Sequence, residues 1–336
     1  MSHEVESMFY VNETPWHGLG VELDNPPTIK EAIVAAGLDW KVITKPLYHR
    51  TDPLDRTLIQ ADSLKKINRS AVLRETDSSL LGVVGHKWTP LQNIEAFDFF
   101  QPFLDAEEVT LETAGSLRHG KHVWVLAKMI GDPDVIVGDD VVHRFLLLAN
   151  GHDGTMAVTA AITPIRAVCA NTLAAALEDD NTKLLRVIHT DKVKDGLELV
   201  KKAVDVAGQQ FAANAELYRA LTRHNINSQD LELYVKRVFI GPKKMRQLDK
   251  QIKETGIASN IGARILDDII PLFEKGMGND LPGVRGTWWA AYNSVSEYLA
   301  HLRGNSNDRR LDSLWFGASA VKNRLALHTA KAMALV

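Results

Sequence analysis

Cys169 is the only cysteine among 336 residues. An intramolecular disulfide framework is therefore excluded, and so are multi-cysteine zinc modules. Neither sign of charge dominates: 39 Lys and Arg face 42 Asp and Glu, for a formal net charge of −3. That balance argues against a uniformly basic coat for duplex DNA and leaves room for a local basic groove. Long apolar runs are missing too. The longest weakly charged stretch, residues 156–177, is broken by Pro164 and carries Arg166 and Asn171. A membrane span needs ~20 predominantly apolar residues, so this stretch reads as a buried strand followed by a helix. The first ten residues are acidic and polar where a signal peptide needs a basic start and an apolar run. A cytoplasmic location, with no membrane partner, is expected.

Several enzyme signatures are absent as well. No GxxxxGK[ST] phosphate loop occurs, and Gly18-Leu19-Gly20 lacks the third glycine and the preceding strand of a dinucleotide fingerprint. HExxH is missing. His119 and His122 lie three apart on a turn and strand, where odd spacing sends side chains to opposite faces. His152-Asp153-Gly154 resembles the His-Asp pair of metal-dependent phosphohydrolases, but Asp and Gly in a turn are favoured for backbone reasons alone. Cys169 and His189 could form a nucleophile and base. A cysteine among Ala, Val and Leu also reads as a small buried hydrophobe, and no third, orienting residue stands out. No metal, cofactor or catalytic residue is expected.

What is present is a globular composition, 45% apolar and 24% charged, in a chain long enough for one large or two modest domains. Thr28 and Glu31 have capping-box spacing for a helix ending near Gly37, and residues 39–48 read as a strand. Thr89 with Gln92 opens another helix, whose Phe97, Phe99, Phe100 and Phe103 face the core. Strands follow at 109–117 and 121–130 around an Arg118-His119-Gly120 turn. Residues 141–149 and 155–165 form two more, joined at Asn150-Gly151, a hairpin signal because both central residues favour positive φ. The helix from Cys169 to Leu177 completes an antiparallel meander followed by a packed helix.

Beyond it the periodicity is helical: 191–224, a helix capped by Ser228 and ended by Gly241-Pro242, then 257–274, 287–302 and 309–334. Trp288, Tyr292 and Val295 share one face of the penultimate helix and read as packing or a subunit interface, while Trp124 reads as core. The fold class is α+β, with an α+β core over 1–190 and a mostly helical region over 191–336. Charge is unevenly spread: residues 1–30 hold five carboxylates against Lys30 alone, and residues 301–336 six cations against Asp308 and Asp312. This asymmetry fits a basic surface at one end, head-to-tail contact between subunits, or ordinary solvated helix faces.

Six segments occur together: Thr14–Gly20, Glu112–Lys121, Asn150–Gly154, Arg166–Leu173, His189-Thr190 and Gly286–Tyr298. In this order they resemble the phage/plasmid-like protein family of unknown function (domain of unknown function 932). The resemblance spans nearly the whole chain and implies a phage, prophage or plasmid origin. The meander-and-helix core further resembles the RecT- and Rad-type single-strand annealing proteins. That resemblance implies a groove, repeated around an oligomer, that holds the backbone of one DNA strand.

Such a groove needs cations along a path. Arg118, His119 and Lys121 cluster at the first hairpin of the expected sheet, Arg144 lies on its next strand, and Arg166 stands where the third strand enters the helix. Asn171 and Thr172, in that helix's first turn, could bond a phosphate or sugar, and serve equally as N-terminal caps. Lys65, Lys66 and Arg69, Lys183 with Arg186, and Lys243, Lys244 and Arg246 form further clusters, each fitting a groove or a solvated face. The expected function is single-stranded DNA binding and annealing in phage recombination. The expected partners are single-stranded DNA, further copies in a ring or filament, and phage or host recombination proteins. Two alternatives stand beside it: a non-enzymatic factor binding phage or host proteins through its helical half, and a metal-dependent hydrolase using His152 and Asp153.

Overall fold

Thr28 accepts a hydrogen bond from the Glu31 amide while Glu31 reaches back to the Thr28 amide, so the first helix begins where its capping box lies. It ends at Gly37, whose φ of 64° is easy only for glycine. In this computed structural model the described residues are 5–11, 19–50, 64–166, 171–172, 185–240, 246–247, 250, 254, 263–303, 313–314 and 317–335. The chain divides into two compact units. One holds residues 1–130, 146–161 and 183–205, and the other 131–145, 162–182 and 206–336. Both sheets and helices are present, with helices concentrated in the second half, which makes the fold α+β.

The first unit is built on strands. These are β1 (Val5–Val11), β2 (Val21–Leu23), β3 (Val42–Arg50), β4 (Leu64–Arg74), β5 (Leu80–Gly85), β6 (Val109–Leu117) and β7 (His122–Met129). Between them lie α1 (Ile29–Ala35), α2 (Asn93–Asp98) and α3 (Gln101–Asp105). The larger sheet runs β9-β7-β6-β1-β2, β9 (Asp140–Gly151) contributing its last residues, and β10 (Val158–Arg166) lies beside β9. A β6–β7 hairpin turns at Arg118-His119-Gly120, as expected, pairing Leu117 with His122. All three turn residues have positive φ, an arrangement disfavoured for arginine and histidine. Helices α1 and α3 pack on β6, and α2 packs on β7. Phe97, Phe99, Phe100, Phe103 and Trp124 are buried, as their pattern indicated. Strands β3, β4 and β5 form a separate antiparallel sheet in that order. Its second and third strands were not foreseen.

The second unit is mainly helical. Its helices are the later part of α4 (Val193–Thr222), α5 (Ser228–Phe239), α6 (Ala263–Lys275), α7 (Trp288–Glu297) and α8 (Ala318–Ala334), and α7 continues as a π-helical turn over Tyr298–Leu302. Tyr218, Tyr234, Trp288, Trp289, Tyr292 and Val295 make an aromatic core that also buries Ile136 and Val142, from β8 (Asp134–Val137) and the start of β9. Trp289 donates its indole N–H to the buried Asp140 carboxylate at 2.7 Å, so its polar edge is satisfied inside that core.

Four local expectations are corrected. Asn150 and Gly151 belong to β9 and neither has positive φ; the turn falls later, with Gly154 at φ 77°. Asn150 is fully buried and donates to the Leu91 carbonyl, so a tertiary partner holds it in the strand. Asn171 and Thr172 form the short strand β11, paired with Arg166 and Ile165, instead of a helical first turn. The other residues of the expected 169–177 helix lie outside the described ones. Gln92 rather than Thr89 caps α2, because Glu95 returns to the Gln92 amide at 2.9 Å. Asn227 rather than Ser228 caps α5, accepting from the Asp230 amide at 2.8 Å.

Candidate functional site

Two groups of candidate residues stand out in the first unit. One is a basic ribbon. Strand β4 pairs with β5 only as far as Arg69 opposite Gly85, so beyond Arg69 the smaller sheet narrows to β3 and β4. There Tyr48 lies opposite Lys66, His49 opposite Lys65, and Arg50 opposite Leu64. Directly opposed residues share a face, so Tyr48 with Lys66 and His49 with Lys65 occupy the two sides of the ribbon. Lys45, Tyr48, His49, Lys65, Lys66 and Arg69 are all exposed. The sequence of β3 and β4 contains no Asp or Glu. Among the described residues no carboxylate engages Lys45, Lys65, Lys66 or Arg69. Residues 51–63, which join the strands and include three aspartates and Arg56, lie outside the described ones.

The other group is a buried histidine cluster. Asn93 donates from Nδ2 to the carbonyls of Leu38 and Trp40, at 3.1 and 3.3 Å. Its Oδ1 therefore faces His152 Nε2 at 2.9 Å, which fixes the proton on that nitrogen. His152 is fully buried, its amide donates to the Lys121 carbonyl at 2.7 Å, and the Trp40 ring meets it edge-on. Burial, and then the imidazoles of His189 and His122, push its pKa down to about 3, so it is neutral. His189 stacks on Trp88 and lies 3.1 Å from the Thr89 carbonyl through Nδ1; burial lowers its pKa as well. Asp153 sits 3.2 Å from His122 and accepts from the Thr155 amide and hydroxyl. Burial alone would raise the Asp153 pKa, yet these hydrogen bonds hold it well below the usual carboxylate range. Gly82 lets the turn approach β5, since a methyl group there would meet Asp153 Cα at 2.5 Å. Among the described residues no three or more His, Cys, Asp and Glu converge at metal-ligand spacing.

A family model described as a domain of unknown function (DUF932) matches residues 80–315. The chain belongs to that family. No curated protein and no solved structure matches the chain. The segments Glu112–Lys121, Asn150–Gly154 and His189-Thr190 contribute to the histidine cluster, through the Lys121–His152 bond and the influence of His189 on His152. Asn93 and Trp88 carried no signal, because their partners lie far away along the chain.

The other expected DNA-binding residues are dispersed. Lys65 and Lys66 lie on the two-stranded ribbon together with Tyr48 and His49, while Lys45 and Arg69 lie where β5 still pairs with β4. In the first unit, His119 is exposed, Arg118 and Lys121 are half-buried, and Arg186 is exposed on β12 (Leu185–Val187). In the second unit, Arg144 lies 3.4 Å from Asp134 and donates to the Asp132 carbonyl, so its charge is already matched. Arg166 pairs with Asn171 across β10 and β11 in that unit. Lys183, Lys243 and Lys244 lie outside the described residues, and Arg246 is exposed. Among the described residues no helix is long and apolar enough to cross a membrane.

Proposed function

We propose that this chain binds single-stranded DNA and promotes annealing of complementary strands, with the β3–β4 ribbon as the main contact to the phosphate backbone. The observation that carries this reading is the set Lys45, Lys65, Lys66 and Arg69, exposed and, among the described residues, unmatched by carboxylates, on strands that contain none. A cation already held by a carboxylate gains little from a phosphate; these four have no such partner among the described residues. A two-stranded ribbon that narrows away from its sheet can lie along a nucleic-acid strand and meet it from either side. Annealing by backbone binding consumes no nucleotide, since holding two strands with their bases free for pairing is enough. Several copies side by side would extend the track, which is the reason to expect a homo-oligomer of phage or prophage origin acting in recombination.

Fluorescence anisotropy with a labelled single-stranded oligonucleotide, read across a salt series, tests the proposal. Binding should weaken linearly in log–log form as salt rises. Replacing the four cations by glutamine should flatten that slope by up to about 3, at ~0.7 for each phosphate no longer neutralised. No binding at low salt, or binding indifferent to salt, overturns it.

A further inference from the structure

Tyr48 is the large aromatic side chain of the ribbon and is 51% exposed. An exposed tyrosine on a strand normally has a cross-strand apolar neighbour to cover one side of its ring. Here the directly opposed residue is Lys66, itself exposed, with the exposed Leu64 diagonally across on β4 and Pro46 and Arg50 two positions away along β3. By register Tyr48 and Lys66 share one face of the ribbon, and Lys66 has no carboxylate partner among the described residues. Phosphate and base are the two halves of a nucleotide, and this face presents a partner for each. In a duplex the bases are stacked on one another and turned inward, whereas an unpaired base has a free π-face.

We infer that Tyr48 stacks an unpaired base while Lys66 holds the adjoining phosphate, and that this pair makes the ribbon selective for single strands over duplex. The inference rests on the DNA-binding reading above and adds the class of ligand. One stacked base per ribbon leaves its neighbours free to pair, so the arrangement is compatible with annealing.

The test compares Tyr48→Ala, Tyr48→Phe and Lys66→Gln with the unmodified chain. Each is titrated by anisotropy against a single-stranded oligonucleotide and against its duplex. Removing the ring should weaken single-strand binding by about tenfold, within the range of base–aromatic stacking. Duplex binding should stay within about twofold and the salt slope should be unchanged, because no charge is removed. Tyr48→Phe should keep single-strand affinity. Lys66→Gln should weaken both ligands and flatten the single-strand slope by about 0.7. Tyr48→Ala binding a single strand as tightly as the unmodified chain, or weakening for both ligands equally, overturns the inference while leaving DNA binding intact. An unmodified chain that binds neither ligand overturns the parent reading and this one together.

Discussion

On the β3–β4 strands, Lys45, Lys65, Lys66 and Arg69 stand in water with no carboxylate partner among the described residues, whereas in the histidine cluster Asn93 and His152 are withdrawn from water and joined through Asn93 Oδ1 and His152 Nε2, His152 Nδ1 and His189 Nε2 being buried without a hydrogen-bond partner. Asn93 joins the segment before β3 to His152, and the Thr89 carbonyl and amide meet His189. Residues satisfied inside the fold contribute to its stability and have little left for a ligand. Residues left unmatched contribute little to stability and keep their interactions for a partner. Polar residues of one unit are thus divided between holding the fold and meeting something outside it.

Acid gives the largest test of this division. His152 is neutral in the fold with a pKa near 3, against 6.5 for the ordinary side chain. Between those values the unfolded chain takes up a proton that the folded chain refuses, so stability is full above pH ~6.5 and falls as pH drops toward 3. The loss from His152 alone should reach on the order of 4–5 kcal/mol, with His189 acting in the same direction. Urea midpoints measured from pH 7.5 to 4 should show it, and Phe in place of His152 should flatten that part of the profile. A midpoint indifferent to pH over this range would mean that His152 is not held neutral by burial.

Asn93→Ala comes next. It strips partners from the Leu38 and Trp40 carbonyls and from His152 Nε2–H, and should cost about 2–4 kcal/mol in urea unfolding, with an unchanged denaturant slope. The smallest effect belongs to the ribbon. Glutamine at Lys45, Lys65, Lys66 and Arg69 together should move stability by less than about 1 kcal/mol while removing most DNA binding. A large stability loss there would erase the distinction and make the ribbon's cations structural.

Much of the fold was legible because its signals are local. The capping box at Thr28 and Glu31, the Arg118–Gly120 turn, the buried phenylalanines and the helical second half follow from spacing within one or two turns of chain. Errors arose where a distant partner outweighed the local preference. Asn150-Gly151 has the composition of a turn, yet the Leu91 carbonyl draws Asn150 into β9. Thr89 has the composition of a cap, yet its carbonyl and amide both face His189, and Gln92 caps instead. Lys65, Lys66 and Arg69 read as a basic cluster, but their pairing with β3 leaves no periodic trace, since neither side of this solvated two-stranded ribbon is a continuous apolar face.

The sequence by itself determined the α+β class, the family, the want of disulfides and the presence of basic segments within a chain of net charge −3, because composition, short-range spacing and shared motifs are properties of the chain alone. Only the tertiary structure decided which of those cations remain unmatched and which histidines lose their charge. Arg144 meets Asp134, ten residues earlier, while Lys66 lies opposite Tyr48 in the ribbon's register; His152 meets Asn93, 59 residues away. Charge state and availability depend on the dielectric and the partners around a group, and the folded chain supplies both.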